Sequence, residues 1–393
     1  MKRSLFTLFI ILPSFLFTAC LGPISIDQYG YVISIGAEKG KEHEWYFPFA
    51  LQRELTESNT QTEGGASLIC QEADSLDEAV NAVEARVPFA LSFSRVGFFV
   101  FSREIAEEGA VSRLFTLSLD SQKIRSSSAL LISEGSVAEF MGGLSANNDA
   151  NITKLQTAVM LDSRKTGRVV VMSISRLFEA AINRTYDFCA PYGILEPDLI
   201  TDMDEKSSEA EGKDPLEDIS LGENAGGLRS YVNGTALFDG VRMTGLIDRE
   251  QTLYLNIANA QLDSGSLTVN TQRGSITVLL SQNRAKKRLL SLCPPRAEIS
   301  ISLNAGVHAC PVDMTEAELA SFVEIELPSL MEAKLNELFL VTKAANCDAF
   351  RLGMEAIKLT RTQYEWETLD FKSKLPELEL DFIVSIHPSD SAS

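Results

Sequence analysis

The sequence predicts an α+β fold of two to three domains, each a mixed or antiparallel sheet with packed helices, behind a cleaved leader. Three observations carry that expectation. Short β-prone runs alternate with capped helical patterns in the first half, an acidic Ser- and Gly-containing stretch divides the chain, and the second half opens on hairpin signals and closes on an alternating strand. The composition agrees, because 393 residues with 45% apolar and 23% charged side chains can fill a sizeable core.

Residues 1–19 read as a leader and not as part of the fold. Lys2 and Arg3 form a short positive region, and the 13 mostly apolar residues from Leu5 to Phe17 have the length of a signal-peptide core. A bilayer span needs about 20 such residues. Phe17-Thr18-Ala19-Cys20 resembles the bacterial lipobox, in which the cysteine sulfur takes a diacylglycerol and becomes the new N-terminus. Cys20 is therefore the expected lipid attachment residue, the alternative being an ordinary secretory signal followed by a chance cysteine. The charge fits an anchor of this kind. With 35 basic and 54 acidic residues the chain carries a net −19, which excludes nucleic-acid binding and gives no electrostatic hold on anionic lipid.

Residues 20–196 read as an N-terminal α+β domain. Tyr31–Gly36 is a strand, Trp45–Leu51 its hairpin partner, and Ala66–Glu72 a third strand. Ser75-Leu76-Asp77-Glu78 is a capping box, opening a helix whose Leu76, Ala79, Val80, Val83 and Val87 fall on one face and which Pro88 ends. Phe93–Phe101, apolar without alternation, predicts a strand covered on both faces. Arg103–Leu117 reads as a helix and Ser126–Ile132 as extended; Ser136–Met141, Ile152–Leu161 and Ile174–Ile182 read as further helices.

Residues 197–227 are rich in Asp, Glu, Ser and Gly and read as an acidic flexible linker or loop. Residues 228–393 read as a C-terminal α+β region, with room for a subdivision near 290–312. Gly234–Phe238 and Met243–Ile247 flank the turn signal Asp239-Gly240, and Leu267–Asn270 and Ser275–Leu280 flank Arg273-Gly274. The basic island Arg284-Ala285-Lys286-Lys287-Arg288 reads as a solvated face or loop. Ile299–Leu303 alternates as a half-buried strand. A capping box at Thr315-Glu316-Ala317-Glu318 opens the longest helical pattern, which Pro328 should kink or divide. Leu378–Ile386 alternates as a terminal strand.

Catalytic chemistry finds no seat in these residues. His43, His308 and His387 are isolated, and no nucleophile elbow, phosphate-binding loop or dinucleotide fingerprint occurs. Beyond Cys20 the cysteines are Cys70, Cys189, Cys293, Cys310 and Cys347, an odd set without a C-x-x-C pair, so buried free thiols are expected and no metal site. A Cys293–Cys310 bridge has only nearness in sequence behind it. Neither an enzyme nor a cofactor is expected.

Several segments together resemble the C subunit of spore germinant receptors, the Ger(x)C lipoprotein family. They are Tyr31–Glu38, Ser75–Ala79, Phe99–Gly109, Gly234–Gly240 with Gly245-Leu246, Cys347–Gly353, Trp366-Glu367 and Leu375-Pro376, in the family's order behind the lipobox. Leu21-Gly22-Pro23 follows the lipid cysteine where Trp and charges are usual, Arg95 stands where His is common, Glu38 replaces an Asp, and Leu117–Asp120 lacks an expected Arg. In this chain Gly240 and Gly245 are expected to serve turns or close approach, Phe238, Phe350 and Trp366 the core, and Asp348 a local cap. The resemblance implies a non-enzymatic subunit of a nutrient receptor, held by Cys20 on the outer face of the spore inner membrane. Its partners would be two integral-membrane subunits, of the A and B types. No nutrient-binding residue is nominated. The residues leave a second reading open, a lipid-anchored solute-binding protein feeding a transporter.

Overall fold

The computed structural model describes residues 29–52, 66–113, 124–146, 163, 165–197, 219–220, 228–311 and 314–389. The leader, Cys20, Ile152–Leu161, Leu117–Asp120 and nearly all of the acidic stretch lie outside them.

The first sheet is mixed. Its centre is a parallel run of β1 (Tyr29–Lys39), β5 (Phe98–Ser102), β6 (Ala129–Ser133) and β7 (Cys189–Pro197). Antiparallel strands extend it on the β1 side: β2 (Trp45–Gln52), β3 (Ala66–Ala73) and the short β8 (Ile219–Ser220). β4 (Ala90–Ser92) lies parallel to the start of β1. All five residues of β5 and all five of β6 are buried, as the unbroken apolar runs require of strands covered on both faces. Phe98, Val100, Ala129 and Leu131 face helix α3 (Val137–Ala146) in one core. Phe99, Phe101, Leu130 and Ile132 face the other way, packing with α1 (Leu76–Glu84), α2 (Arg103–Glu108) and α4 (Ile174–Asn183).

Local chemistry explains the boundaries. The Ser75 hydroxyl accepts from Glu78 N at 3.2 Å, while the Glu78 carboxylate takes Asp74 N at 3.0 Å, so the expected box closes one residue early. Within the expected helix over 103–117, α2 ends at Gly109, whose φ of 75° closes it in a left-handed cap; residues 111–113 are helical again, and 114–117 lie outside the described residues. Residues 93–97 do not join β5.

The first sheet also runs past the acidic stretch. β9 (Leu228–Asp239) pairs antiparallel with β7, and β10 (Arg242–Asp248) with β9 around the expected Asp239-Gly240 turn. Sequence pattern assigned these two strands to the C-terminal region; hydrogen bonding assigns them to the first sheet. Helix α5 (Arg249–Ala258) follows with a complete capping box, the Asp248 carboxylate taking Gln251 N at 2.7 Å and Gln251 Oε1 taking Asp248 N at 3.1 Å. Every residue from Thr252 to Ala258 is buried, because α5 lies between the two sheets and touches β9, β10, β12 and β13.

The second sheet has the order β11 (Ser264–Thr271), β12 (Gly274–Leu292), β13 (Pro295–Ala309), β14 (Glu379–Pro388), antiparallel except for β13 and β14. β12 and β13 pass unbroken through the region near 290–312 where a subdivision had room. β12 also absorbs the basic island: Arg284, Lys286 and Arg288 are exposed, but Lys287 points inward. The inner face packs on α5 and on α7 (Leu327–Ala344), which buries Leu327, Met331, Leu335 and Leu338. A π-turn over Phe322–Glu326 separates α7 from α6 (Glu316–Ser321), whose Thr315–Glu318 capping box is complete. Pro328 thus falls in the first turn of a new helix, where its missing N–H costs nothing. After α7 come the short α8 (Gly353–Ala356), α9 (Gln363–Leu369) and α10 (Phe371–Lys374) before β14. Cys189 and Cys347 are buried free thiols; Cys70 is half-buried, and Cys293 and Cys310 are free and exposed, against the expectation of burial.

Candidate functional site

The motifs of the second half, Gly234–Gly240 with Gly245 and Cys347–Gly353, converge on the seam between the two sheets. After α7 the chain turns through Asn346 and Arg351, both left-handed at φ 48° and 56°. Between them the buried Asp348 carboxylate accepts from Leu352 N at 2.9 Å and Gly353 N at 2.7 Å, the local cap expected of it. Phe350 is buried between Phe339 and Phe382, with ring centroids 6.1 and 5.5 Å away. Gly353 permits the closest approach, since a Cβ there would stand 2.1 Å from the Thr185 carbonyl oxygen.

Asp187, in the segment leading into β7, joins this loop to the first sheet. Its Oδ2 accepts from Asp348 N at 2.7 Å and its Oδ1 from Gly240 N at 2.9 Å, Gly240 holding the β9–β10 turn at φ 59°. Lys372 of α10 donates to the Asp187 carboxylate and to the Asn346 carbonyl, and stands 3.1 Å from Asp239 Oδ1. Asn346 Nδ2 donates to Asp239 Oδ2 at 2.9 Å. On the far side of the loop, Lys287 Nζ donates to Asn259 Oδ1 and to the Phe350 carbonyl, both at 2.5 Å. Gly245 closes the seam against α7, where a Cβ would meet Ala345 Cβ at 3.0 Å.

Burial dominates the electrostatics. It pushes Asp348 up to about 6, although the Gly353 and Leu352 N–H groups oppose the shift. It also drives Lys287 down to about 8, with Arg351 nearby adding to the effect. Burial of Lys372 works against its charge, but Asp187 and Asp239 outweigh it and hold that pKa above its ordinary value. The Cys347 thiol is pushed up by burial and by the Cys189 thiol beside it. Each of these groups is spent on backbone partners or on one another. The arrangement clamps segments from both halves together, and its chemistry is that of assembly.

Two hollows follow the same seam. A groove of about 980 Å³ separates Glu179, Ile182 and Arg184 of the first half from Met354, Arg361 and Trp366 of the second. Trp366 therefore lines an opening as well as packing on the core, which corrects a purely internal role. A hollow of about 410 Å³ lies beside Arg176, Asn256 and Asp263. Among the described residues no three His, Cys, Asp or Glu side chains are grouped to hold a metal ion, and no helix is long and apolar enough to cross a membrane. His43 lies 3.4 Å from Asp74, while His308 and His387 stand on β13 and β14.

Two family models match in order along the chain: the spore germination protein N-terminal domain over residues 23–195, and the spore germination B3/GerAC-like C-terminal domain over residues 233–390. The chain belongs to the GerAC-like family of spore germination proteins. A solved structure, described as the crystal structure of the GerBC protein, has the same fold, with a TM-score of 0.56 over 91% of this chain and 97% of that one at 13% identity. No curated protein matches the chain.

For this GerAC-like chain the family motifs prove architectural. The Asp348–Gly353 stretch builds the seam, and Phe238, buried at the end of β9, stacks on Phe188 with centroids 4.0 Å apart. Glu38, at the end of β1, accepts from Val137 N at 2.7 Å and so places a carboxylate at the start of α3. Arg95, the departure from His, lies over the Tyr31 ring at 3.9 Å. Asp187 and Lys372 were not singled out by sequence pattern, and Lys287 stood in the basic island as a solvated residue, whereas it points inward. For Asp187 a signal existed, a lone acid between Tyr186 and Phe188 ahead of a buried strand; for Lys372 none did.

Proposed function

We propose that this chain is a non-enzymatic, lipid-anchored subunit of a nutrient germinant receptor, seated through Cys20 on the outer face of the spore inner membrane beside A- and B-type integral-membrane subunits. The observation that carries the proposal is the ordered match of both GerAC domains across one continuous fold. The seam supports a binding role over a catalytic one, because its ionisable groups are engaged in holding the halves together. A solute-binding protein closes two lobes about a cleft, and here backbone-directed bonds from Asp187 and a shared buried helix hold the lobes in place. Deletion of the gene is expected to slow germination with a subset of nutrients while leaving sporulation and non-nutrient triggers intact. Unimpaired nutrient germination in a strain lacking this and all similar C subunits would refute the receptor role. Cys20→Ala should abolish incorporation of radiolabelled fatty acid, and undiminished label would remove the anchor.

A further inference from the structure

The surface of β12 carries a feature that the receptor role does not absorb. Past Ser281, the last residue paired with β11, a register shift at 281–284 carries β12 onward along β13 alone. Among the described residues no strand pairs with Arg284–Leu292 on the side away from β13. The N–H and C=O groups of such an edge are a template for another chain.

The side chains on that edge are ordered by charge. Arg284, Lys286 and Arg288 are exposed on one face at two-residue spacing, followed by Leu290 at 48% exposure. Among the described residues Arg284 and Lys286 have no ion pair, and Arg288 has a loose one, 3.8 Å from Glu298. In a chain of net −19 three aligned cations are an inversion of the local field.

We propose that the β12 edge from Arg284 to Leu292 receives an extended acidic segment of a partner protein, which pairs with it as an added strand. Charge decides among the occupants. A second copy would bring the same cations and be repelled. A lipid surface laid on this sheet face would also meet Glu298 of β13 and Asp381 of β14, together with Glu379, which Arg296 pairs at 2.9 Å. Those carboxylates lie one and two strands away at about 4.8 Å per strand, within a Debye length of roughly 10 Å. A strand added at the edge meets the cations first, and alternate carboxylates on it would fall beside them. This inference goes beyond the germination role and does not depend on it.

The test uses the full chain in detergent and a fluorescent peptide of alternating Glu and Thr, with its Lys–Thr counterpart as control. The acidic peptide should bind in a salt-sensitive way and slow hydrogen exchange at the amides of Arg284–Leu292. The triple variant R284E/K286E/R288E should weaken binding about tenfold or more, and the milder R284Q/K286Q, whose folding is not at issue, should weaken it less. Equal binding by wild type and both variants, or protection elsewhere in the chain, would overturn the proposal. So would capture of phosphatidylglycerol vesicles through the three cations without peptide binding, or binding of neither probe, which would reduce the cations to guards of an open edge.

Discussion

Gly353 shows how much a single missing side chain can decide. A Cβ at this position would stand 2.1 Å from the Thr185 carbonyl, a backbone atom that cannot swing aside. Gly353→Ala should therefore cost about 2–4 kcal/mol, measured as a shift in the denaturant midpoint, and a loss below about 0.5 kcal/mol would show that the loop yields. Asp348 beside it ties stability to pH. Its ordinary value is 3.8 and burial lifts it to about 6 in the folded chain, so between those values the folded form keeps a proton that the unfolded form has lost. That contribution is complete below about pH 4 and is lost as pH rises through about 6. Asp348→Asn should remove this decline from the stability–pH profile. A profile of the same slope in wild type and variant would place the titration elsewhere.

At the scale of elements, the strands and helices with a clean period were legible and those with one-sided expectations were not. β14 was readable because Leu380, Phe382, Val384 and Ile386 alternate with exposed Glu379, Asp381 and Ser385. The second half of β12 was hidden by its charges, although the same period of two runs through Arg284, Lys286 and Arg288. Helix α5 went unread because burial on every side erases the period of 3.6, yet its Asp248–Gln251 box was there to be seen. The seam was legible only in part. Asp348 and the glycines stand in motifs, whereas Asp187 and Lys372 meet through a separation of 185 residues that no local pattern records. Asp248→Ala should cost about 1 kcal/mol through the lost cap, read by calorimetry; an unchanged melting temperature would mean that packing alone sets the start of α5.

For the whole molecule, the sheet topology and the sequence divide the chain at different places. The family matches break between residues 195 and 233, but β9 and β10 complete the first sheet. A fragment ending at residue 197 would leave the β7 edge bare, and we expect it to aggregate on expression. A soluble, cooperatively melting fragment would show that the first sheet does not need β9. Asp187→Ala removes the acceptor for Asp348 N, Gly240 N and Lys372 together. A loss of about 3–5 kcal/mol is expected, as for breaking a buried pair by one partner, in a single transition that lowers both halves. Two separated transitions in the wild-type protein would contradict that unity.

The placement of α5 also bears on how such a chain is made. Its walls come from strands that precede it and from β12 and β13, which follow it. During synthesis the N-terminal half emerges first, with a helix whose Leu253, Tyr254, Leu255, Ile257 and Ala258 are all destined for burial at its growing end, and half of that helix's shelter still unsynthesised. Until β13 arrives, this surface is sticky and the half-finished molecule is a client for any holdase that meets it. Completion of folding during synthesis, and not equilibrium stability, is thus the step most exposed to changes in the β12–β13 hairpin.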